Sequence, residues 1–493
     1  MKKIIWLTFL VAAFTNINLT GQNKSGIQSI IDNAQSTKTL KHAQWSLYAK
    51  YVDDDAALLD YNSQFSLAPA SGLKLFTTAA ALYFLGEDFQ FETELYYDGE
   101  IDEQGTLNGN IIIVGGGDPT LGSDRVAGSE NMDELFTGWT EKIKQLGIKK
   151  IHGAIIADVS HFDRIPIPRS WIWEDIGNYY GAAASALSIT ENTYHLYFKP
   201  GNSVGDQTTV LRIEPEIPNL TFENYITTGA ENSGDNGYIF NAPGNYDAVL
   251  RGTIPTGVSE FSIKGSIPEP PLFAALSFTD NLNANGIIVS QKPTVVSETI
   301  IYDDSKKIAV TKSPMLKDII YHLNKRSINL YTEQILKEIG VKAFGEGSTA
   351  KGIEGIEKFL NEIGVNTEGF NLYDGSGLSR SNMITTKMMT EMLAKITGQQ
   401  FYNSFYKSLG VAGDPTDLGF FKSWGRGTKI AGNARIKSGL INRVRSHSGY
   451  VNDSDGKLIA YSFIANNING SHRTIDKLHR QILIELANIK QLD

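Results

Sequence analysis

Pro69-Ala70-Ser71-Gly72-Leu73-Lys74-Leu75-Phe76-Thr77-Thr78-Ala79-Ala80-Ala81-Leu82-Tyr83-Phe84-Leu85 is a strongly apolar helical run, and Gly86 behind it supplies a plausible C-terminal cap. Apolar residues fall on both faces, which predicts a buried central helix over residues 73–85. Residues three apart on a helix share a face, so Ser71 and Lys74 bring a hydroxyl and an amine within hydrogen-bond reach. An exposed lysine is protonated at neutral pH and useless as a base. Burial, with Lys437 as a second cation nearby, favours the neutral form that can accept the serine proton. At the helix N-terminus, free backbone N–H groups can help to hold an oxyanion beside Ser71.

A serine three before a lysine is weak by itself: Ser348-Thr349-Ala350-Lys351 and Ser404-Phe405-Tyr406-Lys407 share the pattern and read as a cap or a surface pair. Ser71 differs because it opens the apolar helix and precedes two further strings. Ser327-Ile328-Asn329 falls in the middle of a helical pattern over residues 316–339. Alone it reads as two polar residues on such a helix; in a cleft, Ser327 can relay a proton and Asn329 can hold a substrate amide. Lys437-Ser438-Gly439 falls in a strand-like run, 434–440, where alternation points Lys437 and Gly439 to one face. Alone it reads as an exposed lysine before a bulge. With Ser71, Lys437 and the Ser438 hydroxyl can bind a terminal carboxylate, Gly439 leaves room for a substrate backbone, and the Leu440 N–H can complete an oxyanion hole. The three strings stand in one order on compatible elements, which favours a shared acyl-transfer site. Ser71 and Ser327 are 256 positions apart (327 minus 71), against 110 from Ser327 to Lys437 (437 minus 327). Something domain-sized is inserted after the first string.

Met1-Lys2-Lys3 followed by the apolar run 4–14 reads as an export signal, too short for a membrane span, with processing expected near Gly21. No Cys follows it, which excludes a lipoprotein anchor, and with no cysteine anywhere there is no disulfide, thiol nucleophile or thiolate metal site. Acidic residues outnumber basic ones, 54 to 45, for a formal net charge of -9, which argues against a nucleic-acid partner. The eight histidines contain no His-Glu-x-x-His pair, so a zinc hydrolase has no foothold. Neither a metal nor a cofactor is expected, and no later stretch reads as a transmembrane anchor.

Residues 44–62 read as a hairpin. From about residue 91 short strands dominate, interrupted by a helix over 131–146 and followed by a strand over 151–159. Residues 198–271 are rich in Gly, Asn, Thr and Pro with β-type runs and read as a small nested β module. Helices return over 353–363, 385–396 and 474–489, with strands over 432–446, 448–451 and 457–466. The expected division is a signal at 1–21, a catalytic domain of 22–95 with 291–493, an inserted domain of 96–195 with 276–290, and a nested β domain of 196–275.

Taken with Pro69-Ala70 before the nucleophile, Gly116-Gly117-Asp118-Pro119-Thr120-Leu121 and Asp374-Gly375-Ser376-Gly377-Leu378-Ser379-Arg380, the three strings make the chain resemble class C low-molecular-mass penicillin-binding proteins. These form the D-alanyl-D-alanine carboxypeptidase/endopeptidase family. The resemblance implies an α+β, β-lactamase-like transpeptidase domain, an antiparallel sheet flanked by helices, interrupted by a large insertion with a nested small β domain. It implies Ser71 as the acylated nucleophile, Lys74 as base, Ser327 and Asn329 as the second motif, and Lys437, Ser438 and Gly439 as the third. Asp175, Tyr180 and Arg380 match positions that bind the side chain of the diamino acid in the stem peptide. Expected partners are peptidoglycan stem peptides and β-lactams, in the periplasm. Three positions depart from the family pattern: Ser438 stands for threonine, Gly72 weakens the helix start, and His447 stands where a small residue is usual. A β-lactamase or esterase of the same fold and a catalytically silent wall-binding protein remain alternatives.

Overall fold

The computed structural model describes residues 15–17 and 21–490. The export signal expected over 1–21 therefore lies outside the described residues, except for the edge strand Thr15–Ile17 and the first residue of the helix Gly21–Ser36.

Strands from the two ends of the chain make one antiparallel sheet. β1 (Gln44–Tyr51) and β2 (Ala57–Tyr61) come from the first segment; β3 (Arg435–Ile441), β4 (Val444–Asn452) and β5 (Leu458–Asn466) come from the last. Their order is β2-β1-β5-β4-β3, extended by Thr15–Ile17 beyond β2 and Gly410–Val411 beyond β3. β5 is buried on both sides because both faces of the sheet are covered. Gly21–Ser36 and a C-terminal helix pack on one face around Trp45, Leu47, Phe463 and Ile482. On the other face lie α1 (Lys74–Leu85), α2 (Leu316–Arg326), α3 (Asn329–Phe344) and the helices Thr349–Glu362 and Thr386–Lys395. The C-terminal helix, α4, spans His472–Ala487. As its two-sided apolar pattern predicts, α1 is enclosed, with Leu75, Phe76, Ala79 and Ala80 fully buried.

Two expected elements differ from the structure. The pattern over 316–339 is two helices, not one: Ser327 adopts the left-handed conformation (φ 60°, ψ 44°), ends α2 through its N–H to the Leu323 carbonyl, and lets Asn329 open α3. A serine in that region costs on the order of 1 kcal/mol or more. Buried polar anchors on the same turn hold it: Asn324 donates to Thr78 (3.2 Å) and Ser408 (2.9 Å), and Lys325 forms a buried ion pair with Asp417. The strand expected over 432–446 is broken at Asn442 and Arg443, where Arg443 turns to φ 61° and starts β4 at Val444.

The insertion has its own core, built on a five-stranded sheet covered by the helices Met132–Gln145 and Pro270–Ala284. Strand pairing crosses the expected boundaries. Glu92–Tyr97 lies in this sheet, and so do Thr294–Val296 and Lys307–Lys312, from the segment expected to be catalytic after 291. Two smaller sheets, built from Thr193–Lys199 to Phe261–Ser266, account for the β-rich stretch. Among the described residues no helix is long and apolar enough to cross a membrane.

Because Phe76 is fully enclosed, Phe76→Ala is expected to cost about 3–5 kcal/mol. A lowered urea midpoint would show it; a midpoint within error of wild type would mean that α1 is not the centre of this core.

Candidate active site

Ser71 sits in a single 3-10 turn, Ala70–Leu73, that runs directly into α1. The turn is strained: Ala70 takes φ 47°. Close packing from three sides holds it. Ser446 on β4 donates to the Pro69 carbonyl at 2.5 Å. A Cβ on Gly439 would come within 2.4 Å of that carbonyl oxygen and 2.8 Å of the Gly72 nitrogen, and one on Gly72 within 3.0 Å of the Ser446 Oγ. The missing side chain of Gly439 thus makes room for the nucleophile's own turn. Gly72 likewise answers to packing and is no mere weakness of the helix start.

Lys74 is fully buried, and its Nζ has three partners: Ser71 Oγ at 3.1 Å, Asn329 Oδ1 at 2.6 Å and the Ser376 carbonyl at 2.6 Å. Burial lowers its pKa to about 7, with Asp374 and Glu333 opposing the shift. A neutral amine donates twice and accepts once. The two carbonyl oxygens take those donations, and Ser71 is left as the group that can donate to nitrogen. Asn329 Nδ2 in turn donates to the Tyr180 carbonyl at 2.7 Å, tying α3 to the insertion.

Lys437 on β3 donates to Ser327 Oγ and to the Ser438 carbonyl, both at 2.8 Å. Burial first, then Lys74 and Arg445, drives its pKa well below the usual lysine value. Ser71, Ser327, Asn329, Ser438 and Leu440 all line one cleft. The strings legible in the sequence thus meet in one cleft around Ser71.

A model of the D-Ala-D-Ala carboxypeptidase 3 (S13) family matches residues 27–485. The chain belongs to the S13 family of D-Ala-D-Ala carboxypeptidases. It is 30% identical over 413 residues to a D-alanyl-D-alanine carboxypeptidase of Actinomadura sp. (strain R39), covering 82% of this chain and 74% of that one. It is 22% identical to a D-alanyl-D-alanine carboxypeptidase of Haemophilus influenzae, over 93% of this chain and 90% of that one. The crystal structure of penicillin binding protein 4 from Haemophilus influenzae superposes with a TM-score of 0.80 at 22% identity, covering 94% of this chain and 99% of that one. As a member of S13 the chain is a serine DD-carboxypeptidase of the low-molecular-mass penicillin-binding class, with the α+β fold read from its motifs.

In this S13 peptidase the resemblance-derived rim residues stand together. Asp175, Tyr180 and Arg380 line a branch of about 730 Å³ that reaches Ser71. Arg380 approaches Asp175 at 3.7 Å, and burial raises the Asp175 pKa despite that arginine.

Two acids support Lys74 from behind: Glu333, which the sequence reading did not single out, and Asp374, which it quoted within a motif without a role. Glu333, one turn after Asn329 on α3, accepts the backbone N–H groups of Gly375 and Ser376 at 3.2 and 2.8 Å. Asp374 accepts from Trp171, Gly377, Ser379 and Asn382 at 2.6–2.9 Å. Together they fix the loop that aims the Ser376 carbonyl at Lys74. Burial, and then Asp374, raises the Glu333 pKa to about 7. An acid at the fifth residue of a buried helix after a polar string was the available signal.

His447 does not reach the cleft. β4 alternates, so Ser446 faces the nucleophile turn while His447 faces α4, with its Nδ1 2.9 Å from that of His479 and its ring against Trp424. Burial drives its pKa well below the usual histidine value.

Gly439→Ala is expected to displace the Pro69–Gly72 turn and slow penicillin acylation by about 100-fold or more, the typical cost of a misplacement near 1 Å. Stopped-flow acylation would read it; a wild-type rate would mean that the turn tolerates movement.

Proposed function

We propose that Ser71, Lys74, Ser327, Asn329 and Lys437 form the acyl-transfer machinery of this DD-peptidase. The observation that carries the reading is Lys74: a buried amine whose pKa has fallen to about 7 and whose lone pair, when neutral, is left for the Ser71 hydroxyl 3.1 Å away. The Ser71 oxygen attacks the carbonyl of the penultimate D-alanine while its proton passes to Lys74. The amide bond breaks as the leaving nitrogen takes a proton, by way of Ser327 and Lys437, and a water then hydrolyses the ester and restores Ser71. The N–H groups of Ser71 and Leu440 serve the oxyanion, and Ser438 with Lys437 serves the substrate carboxylate. Asp175, Tyr180 and Arg380 take the polar end of the diamino-acid side chain.

The substrate is a peptidoglycan stem peptide, and a β-lactam acylates Ser71 in its place. A solved structure of Haemophilus influenzae penicillin binding protein 4 is described as complexed with a β-lactam, which supports this reading by fold. The enzyme acts in the periplasm after removal of the N-terminal signal. The catalytic domain comprises the first segment and the segment after about residue 313; the insertion between them, with its nested β domain, lends a wall to the cleft.

Fluorescent penicillin should label wild type and leave Ser71→Ala unlabelled; equal labelling of both removes Ser71 from the mechanism. Lys74 works as a base only when neutral, so protonation below its pKa stops it. The acylation rate should therefore rise with pH to a midpoint near 7 and fall about tenfold per unit on the acid side. A flat profile from pH 5 to 8 would assign the proton transfer to another group.

A further inference from the structure

The insertion holds a cavity of about 330 Å³ that shares no lining residue with the cleft around Ser71. Three elements wall it: the helix Met132–Gln145, the strand Lys307–Lys312 and the turn that starts at Asp118. On the helix Leu135, Gly138, Trp139 and Lys142 recur at three- and four-residue spacing, so one helix face is turned to the cavity. Trp139 Nε1 donates to Thr311 Oγ1 at 2.9 Å and joins helix to strand. A Cβ on Gly138 would meet nothing within 4 Å, so the space runs up to the helix backbone.

Asp118 lines this cavity and is only 3% exposed. One of its oxygens, Oδ1, accepts both the backbone N–H and the hydroxyl of Thr120, each at 2.7 Å. The other oxygen takes no hydrogen bond and no ion pair among the described residues, and it is not sealed inside protein but reached from the cavity. The turn cannot swing the carboxylate out to water. Gly117 donates to the Ala186 carbonyl at 2.7 Å, Gln334 donates to the Gly117 carbonyl at 3.3 Å, and a Cβ on Gly117 would meet the Phe162 ring at 2.5 Å. Burial pushes the Asp118 pKa up to about 6, opposed by the Thr120 bonds and by no cation. A carboxyl group held this way lacks a cation when ionised and an acceptor when protonated, so either state is costly until a partner arrives. At the rim, Lys142 makes no ion pair among the described residues and can meet an anion.

We propose that this cavity binds a small apolar amino acid, with its ammonium group on Asp118 and its carboxylate at Lys142. An ammonium supplies both the positive charge and the N–H donors that the free Asp118 oxygen lacks. Leu121, Leu135, Trp139 and Val310 wall the space between the two charges and suit an aliphatic side chain. Apolar walls with a few placed polar groups are the usual make-up of a small-molecule site, and the volume fits a ligand of this size.

Calorimetric titration of the full chain tests this with three probes of one shape: leucine, in both enantiomers, 3-methylbutylamine, which lacks the carboxylate, and 4-methylpentanoate, which lacks the ammonium. The better enantiomer of leucine should bind about tenfold or more tightly than either analogue, and Asp118→Asn and Lys142→Ala should each weaken it about tenfold. Gly138→Leu fills the cavity without touching a charge and should abolish binding. Because it adds a good helix former where a Cβ meets no atom, its urea midpoint should equal or exceed that of wild type, so it carries the test even where Asp118→Asn fails to fold. Prior treatment with penicillin, which fills the cleft around Ser71, should leave the titration unchanged. Absence of leucine binding to wild type overturns the proposal, and so does an analogue that binds as tightly as leucine or wild-type affinity in Gly138→Leu. Loss of binding after penicillin treatment would move the ligand to the Ser71 cleft and overturn it as well.

Discussion

The burial of Lys74 is the constraint from which the site follows. A charged amine out of water costs several kcal/mol unless it is paired, so the group sheds its proton near neutrality, and the acceptors around it decide what it then does. Those acceptors come from separate parts of the chain: Asn329 at the start of α3 and the Ser376 carbonyl in the loop after it. Both present an oxygen to the amine, so neither donates to its nitrogen. Glu333 and Asp374 stand behind them and oppose the fall of the pKa, which holds it near 7. The same two acids collect the loop's backbone N–H groups, so one pair of carboxylates shapes the loop and tunes the lysine.

The opposite wall depends on small residues. Gly439 and Gly72 let β3 and the nucleophile turn approach until backbone meets backbone, with Ser446 tying the Pro69 carbonyl between them. This closeness brings Lys437 into the interior with Lys74 and lowers the pKa of Lys437 further. The strained φ angles of Ala70 and Ser327 fall at the two ends of this arrangement, where surrounding contacts outweigh their cost.

Much of this was legible in the sequence because the chemistry sits in short strings. Ser71 to Lys74 is local helix geometry, and Lys437 to Gly439 is local strand alternation, so both could be read from spacing. The break at Ser327 could not, because the helical pattern runs unbroken through it and only buried partners of Asn324 and Lys325, far along the chain, specify the turn. The membership of Lys307–Lys312 in the insertion's sheet was hidden for a similar reason: its partner, Glu92–Tyr97, lies about two hundred positions upstream. Glu333 was hard to pick out because an acid on a helix normally faces water. Gly439 was legible as a required glycine, but its contact with the nucleophile turn was not, since a missing side chain does not say which part of the chain approaches it.

The amide of Asn329 shows why the insertion belongs to the catalytic unit. A carboxamide has two N–H donors and an oxygen with two lone pairs. Lys74 takes one lone pair and the Tyr180 carbonyl takes one N–H, which fixes which end is oxygen and which is nitrogen. A flipped amide would set its N–H groups against the lysine and its oxygen against a carbonyl, losing both bonds. One N–H and one lone pair remain, the complement of a peptide group. Tyr180 is contributed by the insertion, so the residue that would read the substrate amide is oriented by the catalytic lysine on one side and by the inserted wall on the other. A shift of that wall would rotate the amide and disturb substrate binding and the lysine together, which makes the insertion part of the machinery and not an ornament on it.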